Sequence, residues 1–173
     1  MIGQKKTRNK GTYATIDLGA NNCRLLIAKP DKDYFRPIEI FSKITKLGEG
    51  LAISNALSIK AIKRTISALK IMGERLNKIP ISQARFVATE ACRRAVNGDE
   101  FIEKVFDGTG MSFEIISSQE EARLAVTGCV PLIKHSPMNV LVFDIGGGST
   151  EISFAKVNKD KKVILEGMVS VPL

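Results

Sequence analysis

The chain has 173 residues, 26 basic against 18 acidic side chains, a net charge of +8, 44% hydrophobic residues, three Cys, one His and no Trp. That balance excludes a disordered chain and fits one domain, or one and a fraction, at roughly 100–200 residues per domain. No apolar run approaches the about 18 residues of a membrane helix, residues 1–11 lack the apolar segment of a secretory signal, and Cys23, Cys92 and Cys129 are too scattered for a disulfide framework or a zinc site, so a cytoplasmic protein with free thiols is expected.

Lys5, Lys6, Arg8 and Lys10 supply half of the net charge. They read as a solvated basic tail over 1–11, with steering of a polyanion as the functional alternative. Nucleic acid is not an expected partner, because no aromatic residues interleave with the basic ones. Three strands follow, TYATID at 12–17, RLLIA at 24–28 and YFRPIEIFSKI at 34–44, the last placed at a sheet edge by Pro37. Ile59, Ile62, Ile66, Leu69, Met72 and Leu76 then fall on one face of a helix, with Ser58 as N-cap and Pro80 as the stop. RFVAT at 85–89 is a strand, and Glu90–Asn97 reads as a loop. Asp99–Phe106 is a short helix with Phe101, Ile102, Val105 and Phe106 inward. FEIIS at 113–117 is a strand and 119–129 a helix. Three strands followed by alternation predict a mixed sheet covered by helices over 12–130.

His135–Pro137 reads as a linker, and the opening theme then returns. Ile16-Asp17-Leu18-Gly19 and Phe143-Asp144-Ile145-Gly146 are both apolar-Asp-apolar-Gly at a strand end, each followed by a polar turn and a second strand. This is read as an internal duplication whose second copy, 138–173, has its hairpins and not its helices. In the second turn Gly146, Gly147 and Gly148 are costly in chain entropy unless the backbone must approach something closely. Such a nest of N–H groups binds phosphate oxygens. Ser149 and Thr150 add hydroxyls, and the flanking Asp144 and Glu151 have the oxygen chemistry for Mg²⁺. The competing reading is a plain glycine-rich hairpin. In the first turn Gly19, Asn21 and Asn22 permit left-handed conformations and offer amide donors, and here the plain hairpin is the favoured reading of the residues alone. Arg93 and Arg94 stand at the C-terminal end of a strand, where α/β sites lie, with solvated arginines as the alternative. Ser118-Gln-Glu-Glu121 opens the last helix of the first part. Glu121 is a candidate general base and Glu120 its neighbour, but Ser118 and Glu121 also have capping-box spacing.

DLGANNCRL at 17–25, KLGEGL at 46–51, ATEACRRAVN at 88–97, SSQEEARL at 117–124 and DIGGGSTE at 144–151 together resemble the exopolyphosphatase/guanosine pentaphosphate phosphatase (Ppx/GppA) family. The resemblance covers 12–173. It implies two ribonuclease-H-like domains of the actin-like ATPase, sugar kinase and Hsp70 superfamily, with the site between them. The implied activity is Mg²⁺-dependent hydrolysis of a terminal phosphoanhydride in polyphosphate or pppGpp, in a full-length homodimer. It implies Glu121 as the catalytic glutamate and Arg93 as substrate-binding. Gly19, Asn21, Asn22, Cys23 and Arg24, and Gly146 to Thr150, become the phosphate loops, with Asp17, Asp144 and Glu151 on the metal side. Ala20 and Asn22-Cys23 depart from the family's usual first loop, which puts a hydroxyl contact there in doubt. Family members are longer, so an N-terminal piece is expected, inactive or nearly so by itself. A superfamily kinase or ATPase, or a non-catalytic polyanion-binding fragment, is the alternative.

Overall fold

The computed structural model describes residues 11–31 and 34–172, so the basic tail lies almost wholly outside the described residues. Alternating apolar residues build the first hairpin. Ala14, Ile16 and Leu18 of β1 (Tyr13–Leu18) are buried, as are Cys23, Leu25 and Ile27 of β2 (Asn22–Asp31), all on one face of the sheet. β3 (Tyr34–Ile44) pairs antiparallel with β2 and forms the edge. The pairing slips between Ile27 and Ala28, which makes Ile38 the extra residue beside Pro37, a bulge that accommodates the missing N–H.

Past a one-turn helix α1 (Leu51–Ser54), α2 (Ile59–Leu76) starts at Ser58, whose hydroxyl accepts from the Ala61 amide at 3.2 Å. α2 buries Ile62, Leu69 and Met72 against the sheet, whereas Ile59, the first residue of the helix, is 73% exposed. β4 (Gln83–Ala88) adds parallel to β1, and β5 (Glu114–Ile115) parallel to β4, giving the order β3-β2-β1-β4-β5. Between them lie α3 (Glu90–Arg94) and α4 (Gly98–Thr109). The expected loop over 90–97 is therefore helical for one turn, too short to show a period in sequence. Phe101 and Val105 are fully buried, but Phe106 is 55% exposed, one helical step of about 100° past Val105.

α5 (Ser118–Cys129) leads through a short 3₁₀ turn to the second sheet, β6 (Met138–Ile145), β7 (Ser149–Val157) and β8 (Val163–Pro172), antiparallel throughout in that order. Together the two sheets have the ribonuclease-H-like, actin-like architecture. α5 contacts all three strands of the second sheet. The opposite face leaves Leu141, Phe143, Ile145, Phe154, Val169 and Val171 exposed. No helix among the described residues is long and apolar enough to cross a membrane. Cys23, Cys92 and Cys129 are all free thiols.

Candidate functional site

The two Asp-containing turns have the same local build. Gly19 N–H donates to the Asn22 carbonyl at 3.0 Å, and Gly146 N–H donates to the Ser149 carbonyl at 2.9 Å. Asp17 sits across the first hairpin from Arg24, and Asp144 across the second from Glu151. The first turn is braced from behind. The Asn21 carbonyl accepts from the amides of Thr45 and Lys46, both at 2.9 Å, and the Ala20 carbonyl accepts from Gly48 at 2.8 Å. Arg64 of α2 secures that brace through the carbonyls of Thr45 and Lys46. The KLGEGL segment thus has a structural explanation: it fixes the carbonyl side of the first turn. The amides of Ala20, Asn21, Gly147 and Gly148 have no protein acceptor among the described residues.

The turns touch. A Cβ on Gly147 would lie 2.5 Å from Asn21 Cβ, and one on Gly148 would lie 2.2 Å from Glu90 Oε2 and 3.0 Å from Ala20 Cβ. What comes so close to these glycines is the other turn and a carboxylate of α3. Both turns line one cleft of about 260 Å³, shared with Asp17, Arg24, Glu121, Asp144 and Glu151.

Parity along the strands removes two expected members. Cys23 points into the core, where its thiol donates to Met72 Sδ at 3.6 Å and burial pushes its pKa up to about 12. Thr150 occupies the equivalent place in the second turn. It follows Ser149 on β7 and shares the strand's other face with Ile152, away from the cleft. Ser149 and Glu151 are buried, and Glu151 Oε1 accepts from Ser149 Oγ at 2.6 Å and Ser170 Oγ at 2.9 Å.

The start of α5 resolves the two glutamates. The N-cap is Ser117, one residue earlier than expected, and its hydroxyl accepts from the Glu120 amide at 3.2 Å. Glu120 therefore holds the position that the capping box assigns to its acid, and Glu121 is free of that role. Glu120 is also bound by Arg123 at 2.7 Å and by Arg85 at 3.0 Å, which hold its carboxyl down at about 2. A carboxylate so acidic is a poor base near neutral pH. Glu121 lines the cleft, and its carboxyl is raised by burial, against the lowering pull of Arg93, with Glu151 and Asp17 raising it further. Arg93 donates to Glu121 Oε2 from both Nη1 and Nη2 at 3.1 Å and to the Ile116 carbonyl at 2.8 Å. It reaches the cleft through Glu121 and does not itself line it. Arg94 turns to Glu90 at 2.6 Å. Sequence reasoning missed Glu90, and the signal available was its place in ATEACRR.

The donor set fits a hard divalent cation in one way. Among the described residues no three His, Cys, Asp or Glu side chains converge as a metal cage. Asp17 and Asp144 are near enough that Asp144 helps burial raise the Asp17 carboxyl, with Arg24 opposing. Two carboxylates completed by water and substrate phosphate oxygens are an arrangement Mg²⁺ commonly takes. The raised carboxyl of Asp17 means that its charged form is disfavoured in the fold. Asp17→Asn is therefore expected to raise thermal stability at neutral pH, with the gain vanishing as pH falls and Asp17 itself becomes protonated. Melting curves across pH check this; a variant less stable than the parent at neutral pH contradicts it.

A family model described as the Ppx/GppA phosphatase family matches residues 26–168. The bifunctional 3-dehydroquinate synthase/phosphatase of Fusobacterium nucleatum is 37% identical, over 96% of this chain and 26% of its own length. The crystal structure of the Aquifex aeolicus member of the Ppx/GppA family is 33% identical with a TM-score of 0.79, covering 94% of this chain and 51% of that one. An exopolyphosphatase-like protein of known structure is 30% identical with a TM-score of 0.84, over 94% and 51% of the two chains. The chain thus spans about half the length of these solved relatives.

Proposed function

The chain belongs to the Ppx/GppA phosphatase family, and from that premise we propose that its cleft hydrolyses the terminal phosphoanhydride of a phosphate chain, in inorganic polyphosphate or in pppGpp. The observation that carries the reading is the meeting of both Asp-containing turns in one cleft with Glu121 beside them.

The free amides of Ala20, Asn21, Gly147 and Gly148 offer donors to successive phosphate oxygens from two sides. Arg24 is the one cationic side chain among the cleft-lining residues. Glu121 orients a water for in-line attack on the terminal phosphorus and takes its proton. Arg93 holds the Glu121 carboxyl in place and favours its ionised form against the burial that raises it. Asp17 and Asp144 would hold Mg²⁺, which would neutralise phosphate charge in a cleft that Glu90, Glu121 and Glu151 also make acidic. Glu151, tied to Ser149 and Ser170, fixes the far side of the second turn. Positioning and electrostatics carry most of such a reaction.

The test is orthophosphate release from long-chain polyphosphate and from pppGpp, with and without Mg²⁺, by the 173-residue chain and by any longer product of its gene. Mg²⁺-dependent release of terminal phosphate supports the reading. Binding of polyphosphate without release from either substrate would leave a polyanion-binding module instead.

A further inference from the structure

The two turns are held in different ways. The first has its carbonyls tied by the amides of Thr45, Lys46 and Gly48. The second has, among the described residues, its internal Gly146–Ser149 bond and no equivalent brace. Glu151 holds its far end through the Ser149 hydroxyl, and contact holds the glycines: Gly147 packs on Asn21, and Gly148 packs between the Ala20 methyl and the Glu90 carboxylate.

We propose that Glu90 is the positioning residue of the second turn: braced by Arg94, its carboxylate clamps Gly148 and so fixes the amides of Gly147 and Gly148 in the cleft. The structural half of this proposal stands on the geometry alone; its consequence for phosphate binding rests on the function proposed above.

A carboxylate is costly to bury unless it is paired. Glu90 is 6% exposed, and its Oε1 accepts from Arg94 Nη1 at 2.6 Å. That leaves Oε2 against Gly148, 2.2 Å from where a Cβ would lie, so any side chain at 148 would have to displace the carboxylate. The backbone under Glu90 is itself fixed, since the amides of Cys92 and Arg93 both donate to the Thr89 carbonyl at 3.1 Å. Consecutive arginines of α3 thus brace opposite parts of the cleft: Arg93 holds Glu121, and Arg94 holds Glu90. The arrangement also accounts for a negative group beside a turn meant for anions, because Arg94 offsets its charge.

The test is ¹⁵N relaxation of the ligand-free chain. In the parent, the amides of Gly147 and Gly148 should have order parameters near the rigid value of about 0.85, and in Glu90→Ala they should fall below about 0.6. Gly19–Asn22 should stay rigid in both. Glu90→Gln, which keeps the bulk and an acceptor for Arg94, should restore most of the order. Where turnover is measurable, Glu90→Ala should raise KM for polyphosphate with kcat and the pH profile unchanged. Should Glu90→Ala fail to fold, Arg94→Met carries the same relaxation test. Gly147 and Gly148 as rigid in the variant as in the parent would overturn the proposal. So would equal loosening of both turns and β4, the mark of an ordinary core residue. Neither relaxation result depends on substrate, so failure of the proposed function and failure of this clamp are separately visible.

Discussion

Glu121→Gln is expected to lower kcat for terminal phosphate release by about 10²–10⁴-fold, the usual worth of a positioned general base, with phosphate-chain affinity within about twofold of the parent. Glutamine keeps the shape and an oxygen for Arg93, so the ion pair becomes a hydrogen bond and the cleft keeps its form. What disappears is the capacity to take a proton from water. The neighbouring carboxylate cannot replace it, because Arg123 and Arg85 hold Glu120 at about 2 and its place is on the helix cap. Steady-state kinetics together with a binding titration check this. Unchanged turnover in Glu121→Gln would return that residue to a structural role.

Arg93→Ala is expected to have the second largest effect, and its signature is in the pH profile. Burial, Glu151 and Asp17 all raise the Glu121 carboxyl, and Arg93 opposes them both by its charge and by its hydrogen bonds. Without Arg93 only the raising influences remain. A base works when ionised, so the acid limb of kcat/KM follows the Glu121 pKa in the free enzyme. That limb should move to higher pH in Arg93→Ala. At neutral pH the loss of a hydrogen bond to a charged group, about 1.5–3 kcal/mol, should lower kcat/KM by roughly 10- to 100-fold. An acid limb that stays in place would show that Glu121 does not set it.

Most of this architecture could be read from residue order, because alternation and helical period are local signals. The strands before Asp17 and Asp144 were visible as β-rich apolar runs, although the second is not buried, since Leu141, Phe143 and Ile145 are exposed. The repeated apolar-Asp-apolar-Gly turn proved to be the same hydrogen-bonded turn twice. Failures came where a single residue's direction decides. Cys23 and Thr150 lie in equivalent places and both read as site members, yet each is one residue off the parity that faces the cleft. Ser117 and Ser118 are adjacent hydroxyls, and only the fold shows which one caps α5; that one-residue shift is what frees Glu121 from the capping box. Glu90 stood inside the ATEACRR motif, but its role depends on a contact between Gly148 and a helix far away in sequence, which residue order does not show. The glycines were read correctly as marks of close approach, but the approaching group was the opposite turn.

In the proposed function both turns grip one phosphate chain. The most direct measurement is a ¹⁵N NMR titration of the chain with tripolyphosphate and Mg²⁺. The amides of Ala20, Asn21, Gly147 and Gly148 should shift together with a single Kd. Shifts confined to one turn, or to the basic face of α2 around Lys60, Lys63 and Lys70, would contradict it.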